Sequence, residues 1–282
     1  MVTRPSKTSS TTFEELIRRL RTQDVVDGLI VVGSAARDEL HAASDYDLVI
    51  LMSEMPVPID MGVTFVDQRN TDLIFITTEE LDDTIESSEP LNPYTFIGRA
   101  FLRMDDGRIE LDRSGRLQKA RQKLSDGVTL KLLDTETKHL RWWLMNMFLR
   151  VARRIVQSND PVYLQAAELH LTGMLDYAMT DYFNFRNILF KGEKDAVRYW
   201  SENDPDMLRL FMDCLKEQDL RSKLNLYEQL AGLAASPMGG VWDTEVTSLH
   251  VRSGNETIES DIPTLTSDAL DFWETLVAPV PA

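Results

Sequence analysis

The stretch Val31–Leu51 reads VVGSAARDELHAASDYDLVIL. An apolar run ends on Gly33, a small polar turn opens at Ser34, and the chain re-enters an apolar run through two aspartates, Asp45 and Asp47. The flanking segments, Asp27–Gly33 and Asp45–Met52, are short, rich in valine, isoleucine and leucine, and bounded by turn residues. That is the pattern of buried strands. Between them, Ala35–His41 holds helix formers and no breaker, so a short helix is expected there. Alternate side chains on a strand share a face. Asp45 and Asp47 are therefore expected on one side, roughly 6–7 Å apart, with Tyr46 opposite.

Two carboxylates on one face of a strand entrance attract a hard divalent cation. Magnesium takes few carboxylates and completes its shell with water and phosphate oxygens. Two such ions can clamp the attacking and leaving oxygens of a phosphoryl or nucleotidyl transfer. Gly33 and Ser34 supply the other half. A glycine lets a ligand approach the backbone closely. A helix starting near Ala35 would turn free N–H groups toward an anion, and Ser34 adds a hydroxyl. A third acid, Asp72, opens the apolar run of Thr71–Thr77, TDLIFIT, a strand expected beside the first two. Asp72 would complete the metal site or accept the proton of an attacking hydroxyl.

Outward from this centre, Thr12 and Glu15 fit a capping box ahead of a first helix, FEELIRRLRTQ. Pro56 and Pro58 end the second strand, because proline removes ladder donors. Gly62–Asp67 is a further expected strand, EELDDTIES a helix, Thr95–Met104 another, and Gly107–Asp112 a strand. Beyond about residue 114 the pattern turns helical, through Ser114–Leu124, Thr135–Gln157, Pro161–Arg186, Lys194–Trp200, Asp206–Gln218 and Lys223–Ala235. Pro237, Gly239 and Gly240 break it, and a short helix over Ser267–Val277 follows a polar loop. Residues 1–10 read as a loose polar tail. The expected class is α+β: a mixed sheet with flanking helices over residues 1–125, then an all-helical domain over 126–282.

With 43% apolar and 27% charged residues among 282, the chain reads as globular. It holds no apolar run of the ~18 residues a membrane helix needs, and no apolar core for a signal peptide at its start. One cysteine, Cys214, cannot form an internal disulfide or a zinc cluster. A reducing cytoplasm is therefore expected. A formal net charge of -16 repels phosphate backbones, which argues against nucleic acid as the main partner and favours a cationic small molecule.

The segment GSAARDELHAASDYDLVIL, Gly33–Leu51, resembles the signature of the nucleotidyltransferase superfamily: a Gly-Ser turn, a short helix, then Asp-x-Asp on the next strand. DNA polymerase beta, CCA-adding enzymes and antibiotic nucleotidyltransferases share it. TDLIFI resembles that family's third-carboxylate strand, and GRIELDRSGRL is similar to the strand and turn that close the catalytic domain in small bacterial members. YFNFRNILFKGEKDAVRYW, Tyr182–Trp200, resembles the second-domain segment of aminoglycoside and lincosamide nucleotidyltransferases. The likeness covers Leu29–Leu117 closely and Leu140–Ala235 loosely.

The resemblance implies an N-terminal nucleotidyltransferase domain and a helical substrate-binding domain. Two magnesium ions would sit on Asp45, Asp47 and Asp72, the catalytic set. The nucleoside triphosphate would lie on Gly33 and Ser34, with Arg37 and Ser44 as further contacts. Arg186 and Lys194, which flank the loop NILFKGEK, are candidate cations for the β- and γ-phosphates. Glu168 is a candidate extra base from the second domain. A substrate hydroxyl would attack the α-phosphorus and release pyrophosphate, with catalysis by positioning and charge neutralisation. Asp38 is a departure, since many small members carry glycine there. Its charge would oppose a triphosphate unless it points outward. The expected function is magnesium-dependent transfer of a nucleoside monophosphate, AMP first, to a hydroxyl of a small molecule such as an aminoglycoside-like antibiotic. A role in antibiotic resistance would follow. Two alternatives stay open: a regulatory enzyme that modifies a protein or tRNA, as in toxin–antitoxin pairs, and a silent nucleotide-binding module. A homodimer is also left open.

Overall fold

A computed structural model describes residues 11–243, 247, 249 and 262–277. The expected tail over residues 1–10 and most of the expected polar loop after 243 lie outside the described residues. The chain divides into two compact units, Met1–Leu132 and Leu133–Ala282. The first unit extends past residue 125 because residues 129–131 are bonded back to it. Leu91 N donates to Thr129 O at 2.9 Å, and Lys131 N donates to Leu91 O at 2.8 Å.

The first unit is built on helix α1 (Phe13–Arg21), strands β1 (Val26–Val32), β2 (Tyr46–Met52), β3 (Met61–Val66) and β4 (Arg69–Thr77), helices α2 (Thr78–Glu86) and α3 (Phe96–Leu102), strand β5 (Arg108–Asp112) and helix α4 (Arg116–Asp126). The five strands form one sheet in the order β3-β4-β2-β1-β5. β2 and β4 are parallel, and the other neighbours are antiparallel. The sheet is therefore mixed, as expected. β3 and β4 are joined by Asp67 and Gln68, both with positive φ, +53° and +61°. Two such residues in succession match the right-handed twist of a tight hairpin.

Both faces of the sheet are covered. On one, Leu29, Val31, Tyr46, Leu48 and Ile50 pack against Phe13 and Ile17 of α1. On the other, Ile30, Val32, Val49, Leu51, Ile74 and Ile76 pack against Leu81, Phe101 and Leu117 of the helices α2, α3 and α4. Burial on both faces explains why β1 and β2 read as unbroken apolar runs. The expected capping box of α1 is half made. Thr12 Oγ1 accepts from Glu15 N at 3.2 Å, but the Glu15 carboxylate goes to Arg18 and Arg19. The complete box lies on α2, between Thr77 and Glu80.

The second unit is helical: α5 (Thr135–Ile155), α6 (Pro161–Phe185), α7 (Glu193–Asn203), α8 (Pro205–Lys216), α9 (Leu220–Ala234) and α10 (Ile262–Val277). Its core gathers Leu149, Leu171, Leu175, Tyr182, Trp200 and Tyr227 from α5, α6, α7 and α9. α6 and α8 start on proline behind an aspartate cap, Asp160 and Asp204. Proline is favoured in that first turn because its missing N–H is not needed there.

Candidate functional site

The candidate acids lie across the inner strands β1, β2 and β4, where β1 ends and β2 begins. β1 ends at Val32, which lies opposite Asp47 of β2. β2 runs parallel to β4 with Asp47 opposite Asp72. β3 then sets Val63 opposite Asp72. Paired residues of neighbouring strands share a face. Val32, Asp47, Asp72 and Val63 thus form one row across four strands, on the face covered by α2, α3 and α4. Thr71 and Tyr46 point to the other face and are buried. The residue types alone cannot give this row; it follows from a parallel β2–β4 pair with zero offset.

Gly33 follows Val32 with φ +71°. That is the left-handed region where a side chain costs about 1–2 kcal/mol. A Cβ built on Gly33 would lie 3.0 Å from Asp47 Oδ2. Glycine is therefore needed here twice, for its backbone angle and for the space beside the carboxylate.

The expected helix over Ala35–His41 is not formed. The chain makes a single 3-10 turn at Gly33–Ala35 and then leaves it. The cause is Asp38, whose φ is +57°. Glu39 N donates to Ser34 O at 3.0 Å, the six-residue closure that accompanies a left-handed residue ending a helical turn. Arg108 Nη1 then takes Ala35 O at 3.3 Å. An anion at Gly33–Ser34 would thus meet the N–H groups of a tight turn and not a full helix terminus. The Asp38 side chain is 90% exposed and pairs with Arg108 at 3.4 Å.

The charges are arranged unevenly. Asp72 has its carboxyl raised above the usual range, first by burial and then by the nearby Asp45 charge, with Arg103 pulling the other way. Asp45 itself is exposed, one residue ahead of β2. Asp47 is 20% exposed, and its Oδ1 accepts from Arg103 Nη1 at 3.3 Å. Arg103, the C-cap of α3, was not legible as a site residue because it belongs to no motif. Only the packing of α3 on the sheet brings it to the aspartates. Ser44 is engaged in its own turn, where its Oγ accepts from His41 N at 3.0 Å. Arg37 is held between two carboxylates, Glu39 at 3.0 Å and Asp106. Those partners raise its pKa, and a phosphate would have to displace them.

The donor set suits a hard divalent cation in kind: all oxygen, all carboxylate, with Asp45 and Asp72 close enough to oppose each other's charge. Among the described residues no three ligand side chains stand in a preformed metal cage. Arg103 places a positive charge 3.3 Å from Asp47 Oδ1.

In the second unit, Lys194 is exposed in the first turn of α7. Arg186, the C-cap of α6, is fully engaged. Its guanidinium donates to Tyr182 O at 3.1 Å, Ala234 O at 2.9 Å, Leu233 O at 2.9 Å and Ser236 Oγ at 3.0 Å, and lies 3.8 Å over the Tyr182 ring. It ties the end of α6 to the end of α9, so its geometry is that of a packing residue. Arg186→Ala should lower unfolding free energy by about 3 kcal/mol, since it strands several carbonyls. Urea denaturation monitored by circular dichroism measures this. Glu168 is likewise engaged, with Oε1 accepting from the buried Lys223 at 2.5 Å.

Residues 13–94 match the family model of the nucleotidyltransferase domain. The match spans α1 through the segment after α2 and takes in Gly33, Asp45, Asp47 and Asp72, but neither Arg103 nor the second unit. No curated protein matches the chain. Among solved structures, a nucleotidyltransferase-like protein from Exiguobacterium sibiricum is similar at 17% identity, over 83% of this chain and 74% of that one, with a TM-score of 0.35. The chain therefore carries, at residues 13–94, a nucleotidyltransferase domain, the domain of enzymes that transfer nucleotidyl groups.

Proposed function

We propose that this protein moves a nucleoside monophosphate from a nucleoside triphosphate to a hydroxyl of a small acceptor, with magnesium as cofactor. The observation that carries the proposal is the register pairing of Asp47 with Asp72 beside the Gly33 turn, inside the matched domain. Asp45, Asp47 and Asp72 are the residues that would hold the divalent cation. When bound, that cation supplies charge neutralisation at the reacting phosphate and at the leaving pyrophosphate.

The chain's own groups divide the remaining work. The left-handed Gly33 opens space for a phosphate against the turn, and the Ser34 hydroxyl donates to it. Asp72, with its raised carboxyl, is the better placed of the acids to take a proton from the attacking hydroxyl. Arg103, 3.3 Å from Asp47 Oδ1, is a cation beside the acids that would meet the oxygens of a bound phosphate. ATP is our first choice of donor, and the same chemistry accommodates the other triphosphates.

The acceptor belongs on the Asp72 side of the row. There the edge strand β3 exposes Met61, Val63 and Phe65, which share the sheet face of Asp72. An acceptor seated there meets carboxylates on one side and an apolar border on the other. This suits a hydroxylated molecule with an apolar flank as well as a cationic one. An aminoglycoside-like or lincosamide-like antibiotic is consistent with that pairing.

The test is pyrophosphate release from ATP, GTP, CTP and UTP with magnesium, against aminoglycosides, lincosamides and other hydroxylated small molecules. Release that depends on one acceptor establishes the transfer and names both substrates. Triphosphate binding with silence across the panel would overturn the small-molecule acceptor and favour a protein target.

A further inference from the structure

The turn that delivers Asp45 is short, residues 41–44. Ser44 N donates to His41 O at 3.0 Å, and His41 N donates to Ser44 Oγ at 3.0 Å, so residues 41–44 close on themselves. Those bonds fix the turn's shape but not its place. The described side-chain bonds that tie it to the sheet come from Arg69, the first residue of β4. Its Nη1 donates to His41 O at 2.6 Å and to Ser44 O at 2.8 Å. The guanidinium also lies 6.0 Å over the Tyr46 ring, and Tyr46 stacks on Phe13 with centroids 4.0 Å apart. Arg69 is thus anchored on both sides of Asp45: Ser44 precedes it and Tyr46 follows it.

Arg69 also stands three residues before Asp72 on the same strand. One side chain therefore links the strand of Asp72 to the loop of Asp45. These two carboxylates oppose each other electrostatically, and a turn held only by its own bonds would relax outward to separate them. We infer that Arg69 is a positioning residue that holds Asp45 near Asp72, where both can reach one divalent cation. It touches no reacting atom and acts through the backbone carbonyls of His41 and Ser44. The inference rests on the proposed role of Asp45, Asp47 and Asp72 as cation ligands.

Two properties of arginine matter here. Its planar fork donates to two carbonyls from one nitrogen while its face lies on an aromatic ring. Lysine keeps the charge but not that geometry. The experiment measures Mn²⁺ binding to the full chain with ATP present, from the free-ion electron paramagnetic resonance signal after subtracting the loss that ATP causes without protein, for wild type, Arg69→Lys and Arg69→Gln. We expect Arg69→Gln to weaken Mn²⁺ at least tenfold and Arg69→Lys to fall between it and wild type. ATP binding in excess EDTA should stay the same for all three, which a general loss of structure would not produce. Arg69→Lys keeps the stem and charge over Tyr46, and so preserves the test if Arg69→Gln folds poorly. Equal Mn²⁺ affinity in wild type and a folded Arg69→Lys or Arg69→Gln overturns the inference. A wild type that binds no Mn²⁺ with ATP overturns the carboxylate reading itself, and the two failures are told apart by that control.

Discussion

Asp47→Asn and Asp72→Asn should each reduce nucleotidyl transfer by about a thousandfold or more, and they should move folding stability in opposite directions. The loss of turnover follows from charge. Asparagine keeps the volume and shape of aspartate but removes the anionic oxygen that a divalent cation requires, and electrostatic groups aimed at a reacting centre are commonly worth about 10²–10³ each or more. The divergence in stability follows from the partners. Asp47 accepts from Arg103 at 3.3 Å, a half-exposed pair worth at most about 1 kcal/mol, so Asp47→Asn loses a little stability. Asp72 instead has its carboxyl raised by burial and by Asp45. A folded-state pKa above the unfolded one means that ionising Asp72 costs stability, and the cost appears as pH rises through the carboxylate range. At neutral pH, Asp72→Asn removes that cost and should raise Tm in metal-free buffer. Thermal melts in EDTA across the acid range measure the stability difference, and pyrophosphate release measures the turnover. Full activity in either variant would sink the assignment of the acids.

Gly33→Val is the second large effect, and it reaches the same site by sterics. The backbone at Gly33 has φ +71°, and the new Cβ would stand 3.0 Å from Asp47 Oδ2 and 3.9 Å from its Cγ. Either the turn abandons its left-handed angle or the Asp47 carboxylate moves. The first costs about 2 kcal/mol of stability for a β-branched residue. The second displaces a cation ligand by an ångström or so, a shift that commonly costs about a hundredfold in rate. We expect both losses together, with Gly33→Ala milder in each. Urea denaturation and pyrophosphate release on the same preparations separate them. A folded Gly33→Val with wild-type turnover would show that neither the turn nor the Asp47 position matters to the reaction.

Gly33, Asp47 and Asp72 belong to the 13–94 match and lie in one row of the sheet. Arg186 was a candidate by its position beside a loop, and its partners turn out to be the carbonyls that end α6 and α9. A cation in a plausible loop carries little information until its hydrogen bonds are known.

The apolar pattern alone marks the buried strands β1, β2 and β4 and sets two acids around the start of the second, Asp45 just before it and Asp47 within it. Apolar runs of valine, isoleucine and leucine have few alternatives to a doubly covered strand, and short-range patterns set them. It also determined the helical character of the second unit, where apolar spacing persists over many turns. Register and reach come from the packing of distant segments. The zero offset that sets Asp47 against Asp72 comes from pairing between strands some 25 residues apart, which local pattern does not encode. The missing helix after Ser34 turned on one left-handed aspartate, and no propensity scale forbids aspartate inside a helix. Arg69 and Arg103 entered the site because β4 and α3 pack where they do. Long-range packing, and not residue type, selects which of the chain's many arginines faces a carboxylate or a carbonyl.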